Sequence, residues 1–441
     1  MNEMWSINHG GNALAGVVLQ DDSEDGPLIL TPFIENGQTE KAKQLSVVDP
    51  SLFAGVQSHS GYFTVNKTSN WNLFFWYFPA QVPSEDAPLL VWLQGGPGAS
   101  SLYGLFTEMG PFSTDGNTVE KRPIHWGSEY SLIFIDNPVG AGFSFTEGND
   151  YATNEDMVGA CLLSFMQQFL EVFPELRRTP LFLTGESYAG KYIPAFGHYI
   201  HNNQDKSKPI NLKGLAIGDG WTDPPTLLHY SEFGLQVGLL DQLQADELHQ
   251  MEEEARKQWE EGNFELYSEI TGQLFPYFEK TARVPPYNYL SDGENSSESL
   301  VSFLNKPEIQ RALHVKKKKY VTINNEVYKN LYDDMYDTVK PWLEELLEHY
   351  GVMCYNGQLD VIVAYALSIN THKSLKWTGA DGYLKAKRVP VYDAAREKVT
   401  FYVKTSGNFA DVMVRGAGHM VPADKPEAAK QMIDWFINRY K

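Results

Sequence analysis

The stretch LFLTGESYAGK, Leu181 to Lys191, sets a serine between an acid and an aromatic ring, with small residues at Gly185, Ala189 and Gly190. Its apolar run ends in a small-residue turn and is followed by KYIPAFGHYIHNN, a pattern that predicts a strand breaking sharply into a helix. A serine at such a turn is pushed out of the chain's path and presented to whatever lies above the sheet. That is the geometry of a nucleophile elbow, where small neighbours are needed because backbone passes close to backbone. The G-x-S-x-G pattern is met only in part, since Ala189 stands two places after Ser187 and Gly190 one place further. Serines flanked by small residues also occur in ordinary turns, so these residues alone leave both readings open.

Working outward, GYFTVNKTSNWNLFFWYFPA alternates and is rich in aromatic and β-branched residues, which predicts an antiparallel hairpin. APLLVWLQGG and SLIFIDNPVGAGFSF each read as a buried strand entering a glycine turn. Asn154-Glu155-Asp156 opens a capped helix through MVGACLLSFMQQFLEVF, and LKGLAIGDGW supplies a further strand after the Ser187 segment. Strand and helix alternating at this spacing predict an α/β fold with a mostly parallel sheet covered on both faces. From Trp221 the pattern changes to LLDQLQADELHQMEEEARKQWEEGNFELYSEITGQLF, read as a long, exposed helix with Glu252/Arg256 and Glu253/Lys257 at i,i+4 spacing. Strand-like sequence returns at GVMCYNGQLDVIVAY and DVMVRGAGH. The division expected is therefore core from 1 to 221, a helical cap insertion from 222 to 348, and core again from 349 to 441.

The chain has 441 residues, 42% apolar and 13% aromatic, a soluble globular composition with no apolar run approaching a membrane span. A net charge of −20 excludes nucleic acid as an expected partner, because a phosphate backbone needs a basic face. Lys316 to Lys319 reads as a solvated loop rather than a binding patch. The two cysteines, Cys161 in an apolar helix and Cys354 in an apolar strand, read as small buried hydrophobes. MNEMWSINHGGNALAGVVLQDD shows no basic segment followed by a clean apolar one, so no signal peptide is visible and the chain reads as mature, truncated or cytosolic. Asn66 and Asn295 open glycosylation sequons that matter if the chain enters the secretory route.

A nucleophilic serine needs a neutral imidazole to take its proton and a buried carboxylate to hold that imidazole in the right tautomer. In sheets of this kind the order is serine, then acid, then histidine. Most histidines after Ser187 fall in helical or polar stretches, whereas His419 follows a strand in VRGAGHMVPADKPEAA. Asp360 likewise ends the strand turn CYNGQLDVIV, where Gly357 permits a tight approach. Either alone reads as an ordinary loop residue; together they stand in the required order.

GESYAGKYIP, WLQGGPGASSLYGLF, DNPVGAGFSF, YNGQLD and GAGHMVP together resemble the serine carboxypeptidases, in the right order over nearly the whole chain. NLFFWYFPAQ with WLQGGPG is most similar to the vitellogenic-like carboxypeptidases. The resemblance implies an α/β-hydrolase fold with a helical insertion that removes single residues from peptides and proteins with a free C-terminus, without a cofactor or metal. It implies a lysosomal or secreted monomer or homodimer. It assigns Ser187 as nucleophile, Asp360 as orienting acid and His419 as base, with the backbone amides of Gly96 and Tyr188 as the oxyanion hole. Trp92, Gln94, Glu108 and Glu186 match the group that binds the substrate carboxylate, and Tyr103, Thr107 and Met420 fall near the leaving residue. Two carboxyls close together in a low-dielectric site cannot both ionise easily, so one is expected to stay protonated and donate to the substrate, giving an acidic optimum. Gln94 stands where most members carry asparagine and Ala99 where most carry cysteine, which removes a family disulfide. The rival functions are an acyltransferase on the same scaffold, a lipase or esterase, for which the string His9-Gly10-Gly11 lies too early in the chain, and a non-catalytic binding protein.

Overall fold

Five short runs, LLVWL, SLIFI, LFLTGE, LKGLAIG and GVMCYNG, are nearly continuous in apolar and small residues, and each forms a strand covered on both faces. In the computed structural model, which describes residues 26–82, 87–203, 205, 207–293 and 297–441, they lie at the centre of an eleven-stranded sheet. The strands are β1 (Val47–Val48), β2 (Ser58–Asn66), β3 (Trp71–Phe78), β4 (Leu89–Leu93), β5 (Phe112–Thr114), β6 (Val119–Lys121) and β7 (Ser131–Ile135). They continue with β8 (Leu181–Glu186), β9 (Leu212–Gly218), β10 (Gly351–Gly357), β11 (Val389–Tyr392), β12 (Val399–Ser406) and β13 (Phe409–Val414). The sheet order is β1-β2-β3-β7-β4-β8-β9-β10-β13-β12-β11, with β5 and β6 forming a separate ribbon. The stretch from β7 through β13 is parallel, and the flanking pairs are antiparallel. The expected hairpin is β2 and β3, paired from His59–Tyr77 to Asn66–Trp71.

One face of the sheet buries the helices Glu155–Val172, Ala189–Asn202 and Lys340–Leu347, whose Phe165, Phe169, Ile193, Phe196 and Leu346 are fully covered. The opposite face is closed by Pro426–Tyr440 and Leu102–Thr107. Asn154 caps the first of these helices, its side chain accepting the Met157 N–H at 3.0 Å.

Between β9 and β10 the described residues contain helices and no strand. The long helix expected there is two, Gln242–Glu260 and Phe264–Ala282, the second folding back so that the Tyr277 hydroxyl reaches Glu247 at 2.7 Å. Gly262, at φ +76°, takes the left-handed conformation that breaks them. Nor is the first of them simply exposed. Glu252 is fully buried and accepts the Ser231 N–H at 3.0 Å and its hydroxyl at 2.6 Å, while Arg256 approaches it at 3.9 Å. With Tyr230–Gln236 these helices form their own apolar cluster around Phe233, Leu248, Leu274 and Phe278, which closes onto Val361 and Val363 just after Asp360. The segment from Leu300 to Tyr320 instead joins the core of the sheet through Phe303, Leu304, Leu313 and Tyr320.

Cys161 and Cys354 are unbridged. Lys318 lies 3.6 Å over the Phe145 ring, and Lys317 and Lys319 are exposed. Asn66 is half-buried at the end of β2; Asn295, residues 1–22 and the His9-Gly10-Gly11 string fall outside the described residues. Among the described residues no helix is long and apolar enough to cross a membrane.

Candidate active site

β8 ends at Glu186, and Ser187 turns the chain with φ +61° before the helix Ala189–Asn202 begins. This left-handed conformation is costly for a residue with a Cβ, and it is held from both sides. The Ser187 N–H donates to the Gly218 carbonyl at 2.9 Å, and its carbonyl accepts from Gly190 and Trp221 at 2.9 Å each. A Cβ on Gly185 would stand 2.2 Å from the Leu93 carbonyl, and one on Gly190 2.5 Å from the Trp221 nitrogen. The departure from G-x-S-x-G follows: the close approach falls on Gly190, and Ala189 is tolerated.

Asp360 leaves the turn after β10 and His419 the turn after β13, two neighbouring parallel strands. The two turns touch, since a Cβ on Gly357 would lie 1.8 Å from the Gly418 carbonyl. His419 Nδ1 donates to Asp360 Oδ2 at 2.8 Å, and Asp360 also accepts the backbone amides of Ile362 at 2.8 Å and Val363 at 3.1 Å. Both side chains are buried. With Nδ1 committed, His419 Nε2 is the free basic nitrogen and has no partner among the described residues. Ser187, His419 and Gly96 line one cavity of about 570 Å³. Gly96, at φ +113°, turns its backbone beside the elbow, where a Cβ on Gly95 would meet the Tyr188 nitrogen at 2.4 Å. Tyr188 stands at the start of the elbow helix, where the first amides have no partner within the helix.

Beneath this cavity lies a closed carboxyl cluster. Gln94 Nε2 donates to Glu186 Oε1 at 2.7 Å and to Glu108 Oε1 at 3.2 Å, while its Oε1 accepts the Trp92 indole N–H at 2.9 Å. Glu108 and Glu186 are buried, and the Oε2 atom of each has no hydrogen-bond partner among the described residues. Burial pushes Glu108 up to about 7 against the pull of its partners. Burial and then the charge of Glu108 push Glu186 well above the usual carboxylate range. Fewer negative charges than carboxyls is therefore the stable state of the pair at acidic pH.

Gln94, Glu186, Tyr103 and Met420 line the 570 Å³ cavity with Ser187. Trp92 and Glu108 stand behind Gln94 rather than on the wall. Thr107 is set back as well, its hydroxyl donating to the Tyr103 carbonyl one turn earlier at 2.6 Å. A second cavity of about 260 Å³ opens on the other side of Ser187 and Gly96, walled by Tyr188, Trp221, Tyr230, Phe275, Tyr328 and Met335. No sequence signal marks Asn288 and Asp424, which line the first cavity and bond each other at 2.8 Å, nor Tyr287, whose ring lies 5.4 Å from that of His419. Tyr287 and Asn288 sit in an irregular turn and Asp424 ends the four-residue helix Val421–Asp424, segments too short for a periodicity to mark a wall residue.

A serine on a strained strand-to-helix turn, with an acid and a histidine supplied by the ends of later parallel strands, defines a serine hydrolase of the α/β class. Residues 50–439 match the family model described as serine carboxypeptidase, and the chain belongs to that family. It is a serine-type carboxypeptidase, a peptide hydrolase. The chain is 44% identical to a probable serine carboxypeptidase, CPVL, of Homo sapiens over 93% of its own length and 89% of that protein. It is 42% identical to a vitellogenic carboxypeptidase of Aedes aegypti, over 94% and 90% of the two chains. Among solved structures it is similar to Kex1, a prohormone-processing carboxypeptidase of Saccharomyces cerevisiae, with a TM-score of 0.80 at 26% identity over 89% of this chain and 92% of that one.

Proposed function

We propose that Ser187 attacks the last peptide bond of a substrate, with His419 Nε2 taking its proton and then giving it to the departing amino acid. Asp360 holds the imidazole and stabilises its charged form. The acyl group stays on Ser187 until water, activated by the same nitrogen, releases it. The Gly96 and Tyr188 amides receive the tetrahedral oxyanion, a role in which one donor supplies about 3–4 kcal/mol of transition-state stabilisation. Gln94 and the protonated member of the Glu108/Glu186 pair donate to the free carboxylate, with Trp92 fixing the Gln94 amide. Tyr103 and Met420 contact the leaving side chain. The aromatic cavity across Ser187 takes the side chain before the scissile bond, which favours large apolar residues there. The helices Tyr230–Gln236, Gln242–Glu260 and Phe264–Ala282, with the turn at Tyr287 and Asn288, act as the cap, because Tyr287, Asn288, Tyr230 and Phe275 wall the two cavities.

The observation that carries this reading is that Gln94 and Glu186, with Glu108 behind them, form one hydrogen-bonded cluster at the cavity that Ser187 and His419 share. An esterase or acyltransferase has no use for a pair of carboxyls that donates to a carboxylate. The test is a panel of blocked dipeptides offered as free acids and as amides over a range of acidic and neutral pH. Rapid release of the last residue from the free acids only, fastest at acidic pH, is expected; equal cleavage of the amides would overturn the reading. An acid-favouring site fits the secretory route, lysosomal or secreted, rather than the cytosol. Glycan on Asn66 of the protein from its native source, read by endoglycosidase shift, checks that assignment, and light scattering distinguishes monomer from homodimer.

A further inference from the structure

A second buried aspartate lies against the triad acid. β9 ends at Gly218, and the next residue, Asp219, occupies the left-handed region at φ +43° with its N–H donating to the Tyr355 carbonyl at 2.7 Å. That backbone turn aims its side chain at the neighbouring strand end. Asp219 Oδ1 accepts the Gly357 N–H at 2.9 Å, in the same turn that carries Asp360. Asp219, Asp360 and His419 each bring a polar atom within 4.8 Å of the other two. Asp219 and Asp360 are both 0% exposed, and Asp219 Oδ2 has no hydrogen-bond partner among the described residues. An ionised carboxylate with a naked, buried oxygen beside a second carboxylate would be the least favourable arrangement available.

We propose that Asp219 is a positioning residue of the triad, held as a neutral carboxylic acid whose O–H donates to the Asp360 carboxylate and fixes it against His419. The inference rests on the assignment of Asp360 and His419 made above. Burial, followed by the charge of Asp360, holds the Asp219 carboxyl well above the usual carboxylate range, in keeping with this state. The other titratable groups that reach the site are Glu186 from β8, Tyr355 from β10 and Tyr230 from the cap helices; none of them supplies a positive charge that would ionise Asp219. The acid pair then carries one negative charge, on the Asp360 carboxylate whose Oδ2 faces the imidazole. Gly357 binds both members, one through its amide and the other through the turn it opens, so any shift of Asp219 is transmitted to Asp360.

The test compares Asp219→Asn, which keeps a donor toward Asp360 and an acceptor for Gly357, with Asp219→Ala, which keeps neither. Asp219→Ala is expected to lower kcat by at least ~10-fold with KM within ~2-fold, since the oriented base it would disturb contributes ~100- to 10,000-fold. Asp219→Asn is expected to recover most of kcat, and the acid limb of its kcat/KM profile should overlay that of the wild type. If Asp219 were ionised, the asparagine would remove a negative charge beside the imidazole and move that limb down by about one pH unit or more, overturning the proposal. An infrared difference spectrum, wild type minus Asp219→Asn at neutral pH, reads the same point should Asp219→Ala fail to fold: a protonated carboxylic acid band is expected, and a carboxylate band would contradict it. Loss of activity in all Ser187, Asp360 and His419 variants alongside normal Asp219 variants would refute the inference while sparing the triad. Normal activity in the triad variants would refute the triad itself.

Discussion

Glu108 shows at the scale of one side chain how burial shifts a proton equilibrium. In an unfolded chain its carboxyl ionises near 4.5, whereas in the fold it does so near 7. The native state therefore holds a proton that the unfolded state has released throughout that interval, and stability falls as pH rises through it. Glu108→Gln should flatten this slope in a plot of Tm against pH, since glutamine keeps the hydrogen bonds without a titrating group. In the proposed function the proton kept by the Glu108/Glu186 pair, presented by Glu186 on the cavity wall, is the one donated to a substrate carboxylate. KM of the wild type should rise as pH passes about 7, with kcat much less affected, and a KM that stays flat from acid to alkaline pH would remove the donor role of the pair. Of these residues, Ser187, Asp360 and His419 were legible in the sequence because each follows an apolar run at a glycine turn and the three stand in a required order. Glu108 was not legible from its own surroundings: it follows a short helix, and only the resemblance pointed to it. Asp219 carried the same signal as Asp360, an acid at a glycine-flanked strand end, but nothing local says that two such strands lie side by side.

The helix Tyr365–Ser374 follows the Asp360 turn, and its seat on the sheet is a buried ion pair. Burial disfavours a charge on His372, but the Asp411 carboxylate on β13, 3.4 Å away, outweighs it and pushes the imidazole up to about 10. The Tyr383 and Tyr365 hydroxyls donate to the other oxygen of Asp411 at 2.6 and 3.2 Å. Removing one partner of such a pair leaves an uncompensated charge and costs about 3–5 kcal/mol. Asp411→Ala should show that loss in urea denaturation at neutral pH. Because the histidine is raised, the stabilisation is complete below its unfolded value of 6.5 and fades as pH rises toward about 10, where the gap between variant and wild type should narrow. The sequence reads here only as strand-like through VIVAY, with no helix marked, and His372 falls among the histidines of helical or polar stretches. Partnership across the sheet has no period. The same blindness produced one exposed helix where there are two, because charges at i,i+4 spacing look alike whether they face water or, like Glu252, a buried serine.

Across the whole molecule, the sheet core and the segment between β9 and β10 are tied together at the elbow. Lys191 is fully buried on the elbow helix, where its ammonium lies 2.7 Å from Asp334 Oδ2, donates to the Asp334 carbonyl, and reaches the Asp337 carbonyl at 3.1 Å. The Tyr188 hydroxyl donates to the same carboxylate at 3.0 Å. Asp334→Ala should strand that ammonium and cost about 3–5 kcal/mol, and the double variant with Lys191→Met should recover most of it, because a buried pair is often replaceable by apolar contact. Denaturation midpoints of the three proteins check this, and a double variant no better than Asp334→Ala would contradict it. The alternation of strands and helices, and the interruption of the sheet after Trp221, were legible because they are written in long apolar runs. The return of Leu300 to Tyr320 to the core was not, since short helices carry too few apolar positions to show which surface they meet. Every catalytic step proposed for this molecule starts from the Ser187 hydroxyl. Incubation with a serine-directed phosphonate, followed by mass spectrometry of the digested protein, tests that most directly. A single adduct on Ser187, formed as release of C-terminal residues is lost and absent from His419→Ala, is predicted; an adduct on another residue, or undiminished release by Ser187→Ala, would contradict it.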